Sequence, residues 1–227
     1  MFRAYLSALL IALSGFAAAQ DASVRGTVNV KHRSGNGSGS GEVIVWLTPS
    51  RPGGPVAPGP MVRLVQKNKR FTPHVLAVTV GTQIEFPNQD PFFHDVFSIY
   101  RGKPFDLGLY ESGAVRKVQF SQPGVSYIFC NIHPQMNAAV VVLRTPHFAA
   151  TGDDGSFRIS HLPPGQYRLE FWYEFAAETE LAALSRDLQV ASGENALDAI
   201  TLHSSDAPKD HLNKYGEVYS PSKPDKY

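Results

Sequence analysis

Short runs in which apolar and polar residues alternate, broken by glycine, proline, asparagine or aspartate, fill most of this chain. Alternation with a period of two marks half-buried strands. VRGTVNV and EVIVWL, between Val24 and Leu47, are the first two such runs. The glycine-rich HRSGNGSGSG between them has no apolar face to bury and reads as a flexible hairpin loop. Pro49 to Pro60 is too rich in proline for strand or helix and reads as a linker at a domain boundary. Seven short strands are then expected: Met61 to Lys67, His74 to Val80, Thr82 to Phe86, Asp95 to Tyr100, Val115 to Phe120, Val125 to Cys130 and Ala138 to Arg144. Past Pro146, Asp154-Gly155 is a hairpin signal, Pro163-Pro164-Gly165 a second turn, and Tyr167, Leu169, Phe171 and Tyr173 line one face. Leu188 to Val190 and Ala196 to Leu202 supply the last strands, with a short helix at Ala176 to Leu184. Ser204 to Tyr227 is polar, with little order expected beyond local contacts. The pattern is that of an all-β protein.

The amino terminus stands apart from this pattern. Arg3, an almost unbroken apolar run from Ala4 to Ala12, and the small residues Ala17 to Ala19 make residues 1–19 a signal peptide. The apolar run is far shorter than the ~20 residues a bilayer span needs, so no membrane span is expected after cleavage. Export places the chain in the periplasm or outside the cell. Once Arg3 has left with the signal, the basic residues no longer exceed the 20 Asp and Glu, and neither a basic excess nor a basic run points to nucleic acid.

Export also makes the cysteine count informative. Oxidising compartments use cysteines in pairs, and Cys130 has no second cysteine in the chain. A buried structural thiol or an intermolecular disulfide would account for it. Against both, Cys130 opens the sequence C-N-I-H-P-Q-M, with His133 and Met136 at steps of three. A thiolate, an imidazole and a thioether in one loop between two apolar strands suit a single soft metal ion, copper first, with zinc as the competitor. A trigonal copper site of two histidines and one cysteine with a weak axial methionine lacks one histidine here. His94, at the start of an apolar run after the turn Pro87 to Pro91, offers it.

The arrangement N-x-D-x-x-x-H (Asn88, Asp90, His94) followed by C-x-x-H-x-x-M (Cys130, His133, Met136) resembles the cupredoxins; the short Cys-to-Met spacing looks most like amicyanin, and within that group the chain resembles the larger periplasmic methylamine-utilisation proteins. The resemblance covers Met61 to Phe148. It implies a Greek-key sandwich, His94, Cys130, His133 and Met136 as copper ligands, single-electron transfer with electrons passing at the His133 edge, and a quinoprotein dehydrogenase and a c-type cytochrome as partners. The flanking T-x-x-D-G-x-F (Thr151 to Phe157) and L-P-P-G-x-Y-x-L (Leu162 to Leu169) resemble carboxypeptidase-regulatory-like domains, which are small transthyretin-like β-sandwiches with a carbohydrate-binding-like fold. That family's opening G-x-V strand and valine-rich second strand are found before the cupredoxin portion, at Gly26-Thr27-Val28 and Val43-Ile44-Val45. The expected organisation is therefore a cupredoxin at 61–148, inserted in or joined to an outer sandwich formed by 20–60 and 149–203, with a polar tail at 204–227.

Several residues have two readings. Cupredoxins usually carry asparagine where this chain has Asp95; a carboxylate accepts hydrogen bonds but cannot donate as an amide does, so the tie to the cysteine loop is expected to be lost or differently paired. Asn131 is either a turn residue or a local loop bond. Phe92 and Phe93, with Pro134, form an apolar docking collar or fill the core. Phe86, Ile128, Phe129 and Val140 are expected to wall the site from water. His74 is expected to be a structural hydrogen-bonder, and His32, His147, His161, His203 and His211 to be solvated or locally bonded. No G-x-S-x-G elbow or phosphate-binding glycine loop is present, so an enzyme is not expected. The competing functions are copper buffering without electron turnover, and carbohydrate or envelope binding.

Overall fold

The computed structural model describes residues 21–32, 42–51, 53–99, 103–204 and 211–219. The proposed signal peptide and the glycine-rich loop at 33–41 lie outside the described residues. Regular structure among the described residues is almost entirely β. Its strands are β1 (Ala22–His32), β2 (Ile44–Pro49), β3 (Val62–Arg63), β4 (Val65–Lys67), β5 (Arg70–Thr72), β6 (Val75–Thr79), β7 (Gln83–Pro87), β8 (His94–Ser98) and β9 (Phe105–Tyr110). They continue with β10 (Val115–Gln119), β11 (Gly124–Cys130), β12 (Asn137–Leu143), β13 (Phe148–Ala150), β14 (Ser156–Leu162) and β15 (Gly165–Trp172). The helix α1 (Glu178–Leu184) precedes β16 (Arg186–Val190), β17 (Gly193–Ala196) and β18 (Ile200–Ser204). No helix among the described residues is long and apolar enough to cross a membrane.

The central strands form a five-stranded sheet in the order β6-β12-β11-β8-β9 and a three-stranded sheet, β10-β7-β3, with β4 and β5 as a separate pair. Their shared core contains Ile84, Phe86, Val96, Ile128, Val140 and Val142 together with Cys130 and Met136. β1 and β2, which precede this portion, pair with strands that follow it. One sheet holds β14, β1, β17 and β18, the other runs β13-β2-β15-β16, and a second core lies between them. The proline-rich segment is tied to the central portion where Gly59 N donates to Thr82 Oγ1 and Thr79 Oγ1 donates to the Ala57 carbonyl.

β12 shows why the sequence there is a continuous apolar run rather than an alternation. Ala138, Val140 and Val142 face the central core, whereas Ala139, Val141 and Leu143 face a third cluster that they share with Ile44, Val75 and Trp172. A strand buried on both faces needs apolar residues at every position. The third cluster fastens the outer face of the five-stranded sheet to the sheet containing β2 and β15. On β15, Tyr167, Leu169 and Phe171 line one face as the alternation predicts, and Trp172 turns to the cluster on the other.

Three expectations are corrected. The Asp154-Gly155 turn does not join a hairpin: β13 before it belongs to one sheet and β14 after it to the other, so it is a corner between layers. β9 was not anticipated, because Asp106 and Gly108 interrupt its alternation; Gly108 has φ +65 and its N–H donates to Asp106 Oδ1. The tail is ordered over 211–219, where it packs on the central portion beside Cys130.

Candidate metal centre

The candidate site lies where β8 begins and β11 ends. These strands are antiparallel neighbours, with Cys130 opposite Val96, which brings His94 beside the cysteine although 36 residues separate them. After Cys130 the chain makes a tight loop, closed by Met136 N donating to the His133 carbonyl (2.9 Å) and Cys130 N donating to the Met136 carbonyl (3.2 Å). His133 thereby folds back over the thiol. Cys130 Sγ is 3.6 Å from His94 Nδ1 and 3.6 Å from His133 Nδ1, and the two Nδ1 atoms are 3.2 Å apart. Met136 is fully buried in the core cluster that contains Cys130.

The spacing fits one ion among the three donors. Bonds of about 2.0 Å to nitrogen and 2.3 Å to sulfur in a trigonal plane separate donors by roughly 3.5 to 3.8 Å. The two sulfur–nitrogen edges fall within that range, and the nitrogen–nitrogen edge is a few tenths of an ångström shorter.

Asp90 orients the His94 ring. His94 Nε2 donates to Asp90 Oδ2 at 2.9 Å, which fixes the proton on Nε2 and leaves the Nδ1 lone pair directed at the thiol. Burial pushes His94 below the ordinary imidazole range, despite the carboxylate, so the ring is neutral near pH 7 and able to ligate. Asp90 is held in turn by the backbone N–H groups of Lys69 and Asn68, two consecutive residues with positive φ. Such paired amides form an anion-binding concavity. Burial alone would raise the Asp90 carboxyl; these amides and the His94 ring outweigh it and hold the group below its usual value. Asn88 completes the turn, its side chain accepting from Asp90 N and donating to the Phe92 carbonyl.

The thiol is inaccessible and, without a metal, protonated: Cys130 is 0% exposed and burial pushes its pKa up. A buried, protonated thiol is a poor nucleophile. Phe86, Ile128 and Val140 do belong to its cluster, but Phe129 does not, because neighbouring strand residues point to opposite faces. Phe129 packs instead on Phe97 and His211.

The two phenylalanines before His94 divide their roles. Phe92 packs against the rings of both His94 and His133, whereas Phe93 is 49% exposed. With exposed Ile132 and Pro134, Phe93 leaves apolar surface near half-buried His133. Asp95 retains a tie to the cysteine loop by exchanging roles: Asn131 Nδ2 donates to Asp95 Oδ2 at 3.1 Å and Asn131 N donates to the Asp95 carbonyl at 2.8 Å. Asn131 is thus a cross-strand tie and not merely a turn residue. His74 is a hydrogen-bonder, with Nδ1 on the Asn137 carbonyl and Nε2 on Glu174. Sequence reasoning missed Lys214, Tyr219 and His211, which lie in a polar tail without β alternation; the two aromatics among nine residues were the available signal.

No family model matches the chain, and no curated protein matches it. Among solved structures it is similar to the copper-containing nitrite reductase from Thermus scotoductus SA-01, with 30% identity and a TM-score of 0.36 over 40% of this chain and 25% of that one. It is also similar to a purple cupredoxin from Nitrosopumilus maritimus, with 23% identity and a TM-score of 0.33 over 36% of this chain and 99% of that one. A reduced Cu(I) amicyanin variant has 22% identity and a TM-score of 0.35 over 39% of this chain and 86% of its own. The chain spans a quarter of the length of the nitrite reductase it matches.

Proposed function

We propose that this chain is an exported mononuclear copper protein of the blue-copper type that carries single electrons between periplasmic redox partners. The observation that carries this reading is the triangle of the buried Cys130 thiol, one nitrogen of buried His94 and one of half-buried His133, close to trigonal spacing, with the second nitrogen of His94 already committed to Asp90. Cys130, His94 and His133 would hold the ion, with Met136 as a fourth, weaker donor; copper in such a set would exchange one electron between its two oxidation states.

The chain's own residues do the rest. β8 and β11 fix His94 and Cys130 on a hydrogen-bonded ladder, so neither ligand needs to move when charge changes. Asp90 orients the buried imidazole, and Phe86, Ile128 and Val140 help exclude water from the thiolate. His133 is the partly exposed ligand, and the Phe93, Ile132 and Pro134 surface beside it offers an apolar approach for a partner. A quinoprotein dehydrogenase as donor and a c-type cytochrome as acceptor are the partners we propose from the resemblance to amicyanin. Export rests on the amino-terminal signal pattern. We read 61–148 as a cupredoxin unit set within the outer sandwich, supported by the pairing of β1 with β14 and of β2 with β15 across it.

Spectroelectrochemistry of the copper-loaded mature protein separates an electron carrier from a copper store. The carrier reading predicts a reversible one-electron couple with all copper retained on repeated cycling. Loss of copper on reduction, or no couple, would replace it with buffering.

A further inference from the structure

On the five-stranded sheet, Phe129 of β11 is in register with Phe97 of β8, and both point away from the core that holds the Cys130 thiol. Further along β11, Val125 and Tyr127 on this same face are covered by the outer sandwich through the cluster around Trp172. Around Phe129 the cover is residues 211–219. His211 stacks on the Phe129 ring with centroids 4.1 Å apart and 26° between planes, and its Nε2 donates to the Pro134 carbonyl at 2.7 Å. The Tyr219 hydroxyl donates to the Cys130 carbonyl at 2.9 Å, and its ring meets His211 edge-on. Lys214 N donates to Asn131 Oδ1, while Nζ lies 2.9 Å from Asp95 Oδ2 and 3.0 Å from Asp106 Oδ2. The Lys214 and Asp95 side chains are only 16% and 8% exposed, which separates this pair from ordinary surface ion pairs.

We infer that residues 211–219 are a strap belonging to the metal centre, clamping the Cys130–Met136 loop through Tyr219 and His211 and supplying Lys214 as the positive charge that compensates Asp95. The clamp is a property of the chain alone; the effect on potential rests on the copper reading above. Asp95 adjoins His94 in the chain and is tied directly to Asn131, the residue after Cys130. An uncompensated carboxylate there would favour the more positive, oxidised ion, and the Lys214 ammonium, which Asp95 shares with Asp106, offsets that preference. Lys214 is a positioning residue and touches no ligand atom of the centre.

Two full-length measurements test the inference. In copper-loaded protein, Lys214→Met retains an unbranched stem without the charge and is expected to shift the equilibrium toward the oxidised form on the order of tenfold, about 59 mV for one electron. Lys214→Arg is expected to keep the wild-type potential. An unchanged potential in Lys214→Met would overturn the electrostatic role. In metal-free protein, the double variant His211→Ala/Tyr219→Phe is expected to react with a maleimide at Cys130 at least on the order of tenfold faster than wild type, its circular dichroism unchanged. Equal rates would overturn the clamp. Because the labelling needs no metal, failure to take up copper would sink the proposed function while labelling still decides the strap.

Discussion

Asp90 illustrates how much of a candidate ligand's behaviour is set by a neighbouring residue outside the proposed donor set. Its carboxylate is held by two backbone amides and spends its remaining capacity on His94 Nε2, leaving Nδ1 unprotonated and aimed at Cys130. Loss of an outer partner of this kind costs roughly 10- to 100-fold in metal affinity. Asp90→Ala is therefore expected to weaken copper binding by about that factor, read by competition titration against a chelator of known affinity; unchanged affinity would mean that packing alone orients His94. The spacing of Asp90 to His94 was legible in the sequence. The exchange between Asp95 and Asn131 was only half legible: Asp95 announces the loss of an amide donor, but which residue replaces it depends on how the loop after Cys130 folds back. Lys214 was not legible, since a lysine in a polar segment carries no sign of the carboxylate it covers.

At the scale of elements, the sequence shows strands better than their partners. The alternation around Phe157 and Tyr167 places β14 and β15 correctly, yet nothing in it says that the turns at Asp154-Gly155 and Pro163-Pro164-Gly165 lead from one sheet to the other. That depends on β1 and β2, more than a hundred residues upstream, which supply the neighbours. Gly155 shows the constraint at such a corner. Its φ is +76, and a Cβ there would lie 2.3 Å from the Val28 carbonyl oxygen. Gly155→Ala is expected to cost about 2 kcal/mol in urea unfolding through strain and backbone collision; a change below about 0.5 kcal/mol would show that the corner yields freely. β12 reads as a strand for a different reason: its unbroken apolar run signals burial on both faces, and only the structure shows that the two faces serve different cores.

The molecule as a whole is held together by the third cluster and by a polar tie at its edge. His74, just before β6, meets Glu174, just after β15. The hydrogen bond to Glu174 is the main cause that raises His74 above the ordinary imidazole pKa, outweighing its desolvation. A raised folded-state value makes the tie fully stabilising below the unfolded imidazole pKa of about 6.5, with that stability lost as pH climbs through the folded value. Urea midpoints should therefore fall above pH 6.5 in wild type and lose this dependence in Glu174→Gln; the same slope in both would assign it to other groups. The central claim concerns the centre that these parts enclose. Its most direct test is the absorption and EPR spectrum of purified mature protein after addition of Cu(II), with Cys130→Ser beside it. The account predicts an intense visible thiolate-to-copper band and narrow copper hyperfine splitting in wild type, both lost in the variant. A colourless wild-type protein that keeps a free thiol in the presence of copper would contradict it.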